Sequence, residues 1–270
     1  MKRYTLQAMS FNIRYDNPND GENVWSQRKE KVASLIRQQH PDVIGIQEAL
    51  KNQIDDLMVQ LSKYEWFGVG REDEKEKGEF VPIFYNKNRL KATEHSTFWL
   101  SETPQVPGGY SWDAKYGRTV TWGRFFDKKS KKNFFFFNTH FDKDGEVSRI
   151  KNAEILAKKI EEIAHEDPVV LAGDFNCVES SEPYQLLTAA EGRKKQGEEN
   201  KLADTRYMAK EHTGPNGTIS DFKTLVTPEK KIDYIFVKNN VTVLIHSVVS
   251  TMWGGKFPSD HLPIVVKILL

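Results

Sequence analysis

Residues 168–176 of this 270-residue chain run Pro-Val-Val-Leu-Ala-Gly-Asp-Phe-Asn, and they place a carboxylate and an amide where an apolar run stops. The apolar residues before Gly173 include two β-branched valines and describe a short strand buried on both faces, which the glycine brings to a polar end. Side chains of an extended segment repeat with period two, so Asp174 and Asn176 are expected to point together into one cleft. A carboxylate that takes a proton from water, beside an amide that holds an oxygen in line, is equipment for phosphate transfer.

Other strands end in the same manner. Met9 to Ile13 carries Asn12, Val43 to Gln47 delivers Glu48, and Phe134 to Phe137 lead into Asn138-Thr139-His140. Asp233 opens an apolar run, and Asp260-His261 stands before the last one. Ile232, Tyr234 and Phe236 occupy one face of the Asp233 strand while Ile235 and Val237 occupy the other. The Asp233 carboxylate is therefore expected beside a dry core, where an unpaired charge is expensive. Its candidate partners are His261 and His140; His40, His95, His165, His212 and His246 are read as surface or satisfied core histidines. Glu48 suits a hard cation, since Mg²⁺ takes oxygen ligands and needs one or two protein carboxylates beside a substrate phosphate. The bland alternative for Glu48 is a glutamate favoured by a helix dipole.

Taken in order, Asn12, Gln47-Glu48, Asn138-Thr139-His140, Gly173-Asp174-Phe175-Asn176, Ile232-Asp233-Tyr234 and Ser259-Asp260-His261 look like the successive motifs of the endonuclease/exonuclease/phosphatase superfamily. That superfamily includes deoxyribonucleases, abasic-site endonucleases, poly(A)-shortening exonucleases, neutral sphingomyelinases and inositol-phosphate 5-phosphatases. The overall resemblance is to its small, single-domain bacterial-type members. It implies an α/β fold, the four-layer α/β sandwich in which two mixed β-sheets pack face to face with helices outside. It also implies a Mg-dependent hydrolase of phosphate esters, with Mn²⁺ as an alternative ion. Glu48, Asn12 and Asp260 would hold the metal. Asp174 would activate water, with Asn176 holding that water or a phosphate oxygen. His261, oriented by Asp233, would donate to the phosphate, and His140 would do so from the other side. Glu79 sits where the deoxyribonuclease branch has a glutamate that orients a histidine. Arg118 resembles a family arginine that binds phosphate or its neighbouring group through a planar fork.

The elements needed to position these residues are visible as patterns. Strands are expected over 6–13, 43–47, 80–86, 90–100, 118–127, 133–141, 232–237, 241–250 and 262–269, and helices over 26–39, 52–62, 145–165 and 183–190. Ser26 is a candidate cap for the first helix. The mixed-charge run 71–79 and the loops 191–201 and 214–222 read as solvated connections, and the lysines of 128–132 as a solvated hairpin tip. The whole chain, 1–270, is expected to form a single domain.

Composition narrows the function. Thirty-nine Lys and Arg against 38 Asp and Glu leave no global positive field for holding long nucleic acid, which favours a compact phosphate ester. The lone Cys177 excludes an internal disulfide and reads as a space-filler rather than a nucleophile. No apolar run approaches the ~20 residues of a membrane span. No signal peptide is read before Thr5, so the default location is cytoplasmic, with secreted or periplasmic placement as the alternative if a signal was removed. No obligate protein partner is evident.

Substrate choice is less sharply written. Lys231-Ile232-Asp233-Tyr234 replaces the tryptophan-aspartate-arginine-isoleucine stretch of the 5-phosphatases and resembles the nuclease branches. The expected reaction is thus phosphodiester hydrolysis by direct attack of water, with nucleic acid or a nucleotide as the partner. The alternatives are a sugar- or nucleotide-phosphate phosphomonoesterase and a catalytically inactive binding module. Asn138, Trp112 and Phe222 are assigned to substrate contacts, the two aromatics as stacking walls.

Overall fold

The protein is described by a computed structural model in which residues 4–188, 201–226 and 230–270 are described. In chain order the strands are β1 (Leu6–Asn12), β2 (Val43–Gln47), β3 (Tyr64–Phe67), β4 (Ile83–Asn86), β5 (Leu90–Trp99), β6 (Thr119–Asp127), β7 (Asn133–His140), β8 (Val169–Asp174), β9 (Ala203–Asp204), β10 (Glu211–Thr213), β11 (Asp233–Lys238), β12 (Thr242–Val248) and β13 (Ile264–Leu269). The helices are α1 (Trp25–Gln39), α2 (Lys51–Gln60), α3 (Glu146–Ala164), α4 (Glu182–Leu187) and α5 (Thr205–Met208).

Two mixed sheets result, ordered β10-β12-β13-β1-β2-β4-β3 and β5-β6-β7-β8-β11-β9. Their facing sides share one core, in which Ala8, Val43, Ile264 and Val266 of the first sheet meet Phe134, Phe136, Val170 and Ile235 of the second. The outer face of the first sheet is covered by Val32, Leu35 and Ile36 of α1 and Ile54 and Leu57 of α2. Ala153, Leu156 and Ile160 of α3 and Tyr184 and Leu187 of α4 cover the outer face of the second. This is the four-layer α/β sandwich, and it explains the doubly apolar strands: each central strand buries one face against a helix and the other against a sheet.

The sheets approach closely at Gly45, where a Cβ would stand 2.6 Å from Asn138 Oδ1 and 3.2 Å from the Ala172 side chain. Strand direction then assembles the site. β1 runs parallel to β2, and β7 to β8, so Asn12, Glu48, His140 and Asp174 emerge at carboxyl ends. β11 is antiparallel to β8 and pairs Asp233 with Asp174; β13 is antiparallel to β1, which brings the residues preceding it to the same edge. Motifs that open strands therefore meet motifs that close them.

Local differences from the sequence expectation have physical causes. α1 begins at Trp25 after Val24, so Ser26 lies inside the helix instead of capping it. The strand expected from residue 80 begins at Ile83, with Phe80 making only a bridge to Ala49. β3, β9, α5 and β10 are short elements without enough residues to display a period. The expected helix 183–190 is α4 as far as Leu187; Ala189, Ala190 and loop residues 191–200 lie outside the described residues. Among the described residues, no helix is long and apolar enough to cross a membrane.

Candidate active site at the carboxyl edge of both sheets

Asp174 is the centre of the site. It closes β8 at 1% exposure and is contacted from both sheets. From the first sheet, Asn12 Nδ2 donates to Asp174 Oδ2 and to Glu48 Oε1, both at 3.0 Å. The Asn12 oxygen is occupied by the Arg14 N–H at 2.9 Å, so its amide nitrogen faces the carboxylates. In this geometry Asn12 clamps Glu48 to Asp174 through its amide nitrogen, while its oxygen accepts one bond and keeps a second lone pair. The Tyr15 N–H donates to Glu48 Oε2 at 3.1 Å and completes the hold on that carboxylate.

Glu48 and Asn176 share a backbone device, with φ of +62° and +47°. Both lie just past a strand end, in the left-handed region that non-glycine residues rarely occupy and that clusters at functional sites. The Asn176 N–H turns back to Asp174 Oδ1 at 2.9 Å, and its side-chain amide donates to the Phe141 carbonyl at 3.1 Å and lies 3.0 Å from His140 Nε2. Asp174 and Asn176 do line one cleft, but through this turn and not by continued strand alternation.

Two histidines flank Asp174. His261 Nδ1 lies 3.0 Å from Asp233 Oδ2, and its Nε2 lies 3.8 Å from Asp174 Oδ2. His140 Nε2 approaches the same oxygen at 3.5 Å, while its Nδ1 lies 3.4 Å from Arg118 and 3.8 Å from Glu79. Burial lowers both, but for His261 the carboxylates of Asp233 and Asp174 outweigh it and hold the imidazole well above its ordinary range. For His140 burial is joined by the Arg118 and Arg71 charges, and the ring is held well below that range. Burial, then the Asp233 charge, pushes Asp174 up to about 7.

Beyond His140 the cleft is walled by ion pairs. Arg118 Nε donates to Asp142 at 3.3 Å, and Arg71 donates to Glu79 at 2.8 Å. Arg71 and Glu79 belong to the run expected to be a solvated loop. Its middle is exposed, but its two ends fold inward, because the Arg71 carbonyl accepts from Trp99 Nε1 at 2.7 Å and the Arg71 guanidinium stacks on Tyr116. Neither Arg71 nor Asp142 was singled out by the sequence reading. A charge-rich run conceals which of its members are held by tertiary contacts.

Three substrate assignments change. Asn138 is fully buried between the sheets, where it accepts from Gln47 at 2.6 Å and donates to the carbonyls of Ile46 and Pro82; it joins the layers and cannot reach a ligand. Phe222 is 8% exposed and packs on Arg28, behind the cleft. Trp112 is partly exposed on the 101–117 loop but does not line the cleft; its neighbour Asp113 instead accepts from the Val147 and Ser148 N–H groups and pins that loop to α3. Tyr15 and Tyr116 are the aromatics in the lining. The Lys128–Lys132 turn joins β6 to β7 at the end opposite His140 and takes no part in the site. Cys177 lines the cleft, but burial pushes its thiol up to about 11, which suits a filler and not a nucleophile.

The donor set fits a divalent cation. Burial, together with the facing Glu48, raises Asp260, so these carboxylates are held against mutual repulsion that a dication would relieve. Glu48, His140 and Asp174 each place an atom within 4.8 Å of the others. The carboxylates of Glu48 and Asp174 are oxygen donors that suit a hard ion, while His140 would add a nitrogen. In the group of Asp174, Asp233 and His261, by contrast, His261 Nδ1 is already bonded to Asp233.

Comparison with known proteins agrees with this construction. The family model described as endonuclease/exonuclease/phosphatase matches residues 9–261. A structure so named from Bacteroides vulgatus is 37% identical, with a TM-score of 0.90 over 98% of this chain and 99% of the other. A mannosyl-6-phosphatase from Bacteroides thetaiotaomicron is 32% identical, also with a TM-score of 0.90, over 98% of this chain and all (100%) of the other. An uncharacterized protein of Acanthamoeba polyphaga mimivirus is 28% identical over 90% of this chain and 91% of its own length.

Proposed function

We propose, from the premise that this chain belongs to the endonuclease/exonuclease/phosphatase family, that it is a magnesium-dependent phosphomonoesterase acting on a sugar phosphate. The family's members hydrolyse phosphate esters, and the site retains the groups that such hydrolysis uses. One observation carries the choice of substrate: the cleft, about 1090 Å³, is walled beside His140 by Arg71, Glu79, Arg118 and Asp142, whereas Trp112 and Phe222 lie outside its lining and the tyrosines within it, Tyr15 and Tyr116, carry the guanidiniums of Arg14 and Arg71 over their rings at 4.7 and 5.0 Å. Alternating cations and carboxylates suit the hydroxyls of a sugar. They do not suit the face of a base, which calls for aromatic stacking. The similar Bacteroides thetaiotaomicron structure is a mannosyl-6-phosphatase, which supports the same reading. On this reading the phosphomonoesterase alternative is preferred to the phosphodiester expectation.

Mg²⁺ held by Glu48 and Asp260 would polarise a phosphoryl oxygen. Asp174, near neutral in its proton affinity, takes a proton from the attacking water, and Asn176 holds that water or a phosphate oxygen. His261, kept protonated by Asp233, donates to the phosphate as charge grows. His140 enters uncharged, with the Asn176 amide 3.0 Å from its Nε2 and Arg118 and Glu79 3.4 and 3.8 Å from its Nδ1, and it keeps Asn176 in place. Arg118 supports the phosphate or the adjoining hydroxyl.

The test is Mg²⁺-dependent release of phosphate from mannose 6-phosphate and glucose 6-phosphate, beside bis-(p-nitrophenyl) phosphate and a short oligonucleotide. Sugar phosphates should be preferred, EDTA should abolish turnover, and Asp174→Asn should lose about a thousandfold in kcat. Cleavage of the diesters alone would overturn the substrate, and an active Asp174→Asn variant would overturn the mechanism.

A further inference from the structure

Arg28 lies outside the cleft lining and immediately behind it. The residue is 2% exposed, and among the described residues its guanidinium donates to backbone carbonyls: Nε to Asn23 at 2.6 Å, Nη1 to Ile13 at 2.7 Å and Pro258 at 2.9 Å, and Nη2 to Arg14 at 3.1 Å. Its Cζ sits over the rings of Trp25 and Phe222, at 5.4 and 5.5 Å from their centroids. Among the described residues no carboxylate makes an ion pair with it within 4.0 Å. Burial brings the group down to about 10, which leaves it charged at neutral pH. The carboxylates of Asp260 and Asp20 act on it through space and offset part of the cost of burial, while its hydrogen bonds go to backbone carbonyls, an arrangement that calls for a reason beyond packing.

The acceptors supply one. The carbonyls of Ile13 and Arg14 come just before Tyr15, whose N–H holds Glu48 Oε2. The Pro258 carbonyl comes two residues before Asp260, and Ser259 Oγ ties the same segment to the Asn12 carbonyl at 2.8 Å. One rigid fork on α1 thus grips the segment that presents Asp260 and the loop whose Tyr15 N–H holds Glu48.

We infer that Arg28 is a positioning residue that sets the separation of Glu48 and Asp260 and so tunes the affinity of the divalent-cation site. It acts through the loops and touches neither the ion nor the substrate. The planar guanidinium is required because a lysine ammonium, a single point of charge, cannot span carbonyls on two sides. The inference rests on the metal reading above but not on the identity of the substrate.

The experiment is calorimetric titration of the substrate-free protein with Mn²⁺, comparing wild type, Arg28→Lys and Phe222→Leu, with thermal unfolding of each in EDTA. Outer partners of metal ligands are typically worth 10- to 100-fold in affinity. Arg28→Lys should therefore weaken Mn²⁺ binding by about tenfold or more. Phe222→Leu, which removes one ring from the stack that holds the guanidinium against those carbonyls, should weaken it measurably but by less than about tenfold, below the range for loss of the arginine itself. The second variant decides the matter if the first does not fold. A variant with a lowered melting temperature but wild-type Mn²⁺ affinity would show a merely structural arginine and overturn the inference. A wild-type protein that binds no Mn²⁺ would overturn it together with the metal assignment. Loss of affinity in the variants would support it whatever ester the enzyme cleaves, which separates this outcome from that of the sugar-phosphate test.

Discussion

His261 and His140 approach the same oxygen of Asp174, at 3.8 and 3.5 Å, yet the first is held charged and the second neutral. His261 has a carboxylate behind it and another in front, so its imidazolium is stabilised against burial. His140 faces the Arg118 guanidinium and is walled from water, so burial and like charge act together to keep it neutral. Distance to the central carboxylate does not decide protonation. The sign of the next charge outward does. The consequence is a division of labour: one histidine brings a proton, and the other holds geometry.

The comparison can be broken most sharply at His261. His261→Ala should reduce kcat by about 10²–10³, the range for a lost general acid, whereas His140→Gln should cost only about tenfold. Equal losses in steady-state assays would mean that the two rings do the same work.

Asp233→Asn sharpens the point with pH. Asp233 raises His261, and the ion pair's stabilisation is complete below the ordinary histidine value near 6.5 and is lost as pH rises through the raised one. Removing it should move the alkaline limb of the kcat/KM profile to lower pH, with about a tenfold loss at pH 8 and little at pH 6. The His140→Gln profile should keep the wild-type limbs. An alkaline limb unmoved in Asp233→Asn would remove Asp233 as the source of the His261 charge.

The smallest effect tests burial alone. His246 is buried outside the cleft, with Nδ1 3.0 Å from Thr205 Oγ1 and, among the described residues, no hydrogen-bond partner on Nε2, and burial pulls it down to about 3. The unfolded chain takes up that proton below about 6.5, so stability is present above 6.5 and drains as pH falls toward 3, by at most about 1.4 kcal/mol per pH unit. His246→Asn should flatten the fall in urea-unfolding free energy between pH 7 and pH 5. An unchanged slope would show that other groups carry the acid sensitivity.

Much of this site was legible because strand ends announce themselves. Asp174, Glu48 and His140 each close an apolar run, and Asp233 and His261 precede one, so their pairing across sheets needed only strand direction to be realised. The sequence could not show which polar strand residue meets the cleft and which meets the other sheet. Asn138 and His140 share one side of β7, but only His140 lies beyond the edge where Gln47 and the Pro82 carbonyl capture Asn138. Arg71 was hidden among neighbouring charges until Trp99 and Tyr116 drew it inward.

By itself, then, the sequence determined the layers, through strands apolar on both faces, and the identity of the reacting groups, through their places at strand ends. Tertiary structure alone decided the charge of each histidine, the turning inward of Arg71 and Glu79, and the grip of Arg28 on two distant loops. These depend on which charges and carbonyls come within a few ångströms across the fold. Periodicity along a chain reports the face a residue occupies, not what will stand opposite it.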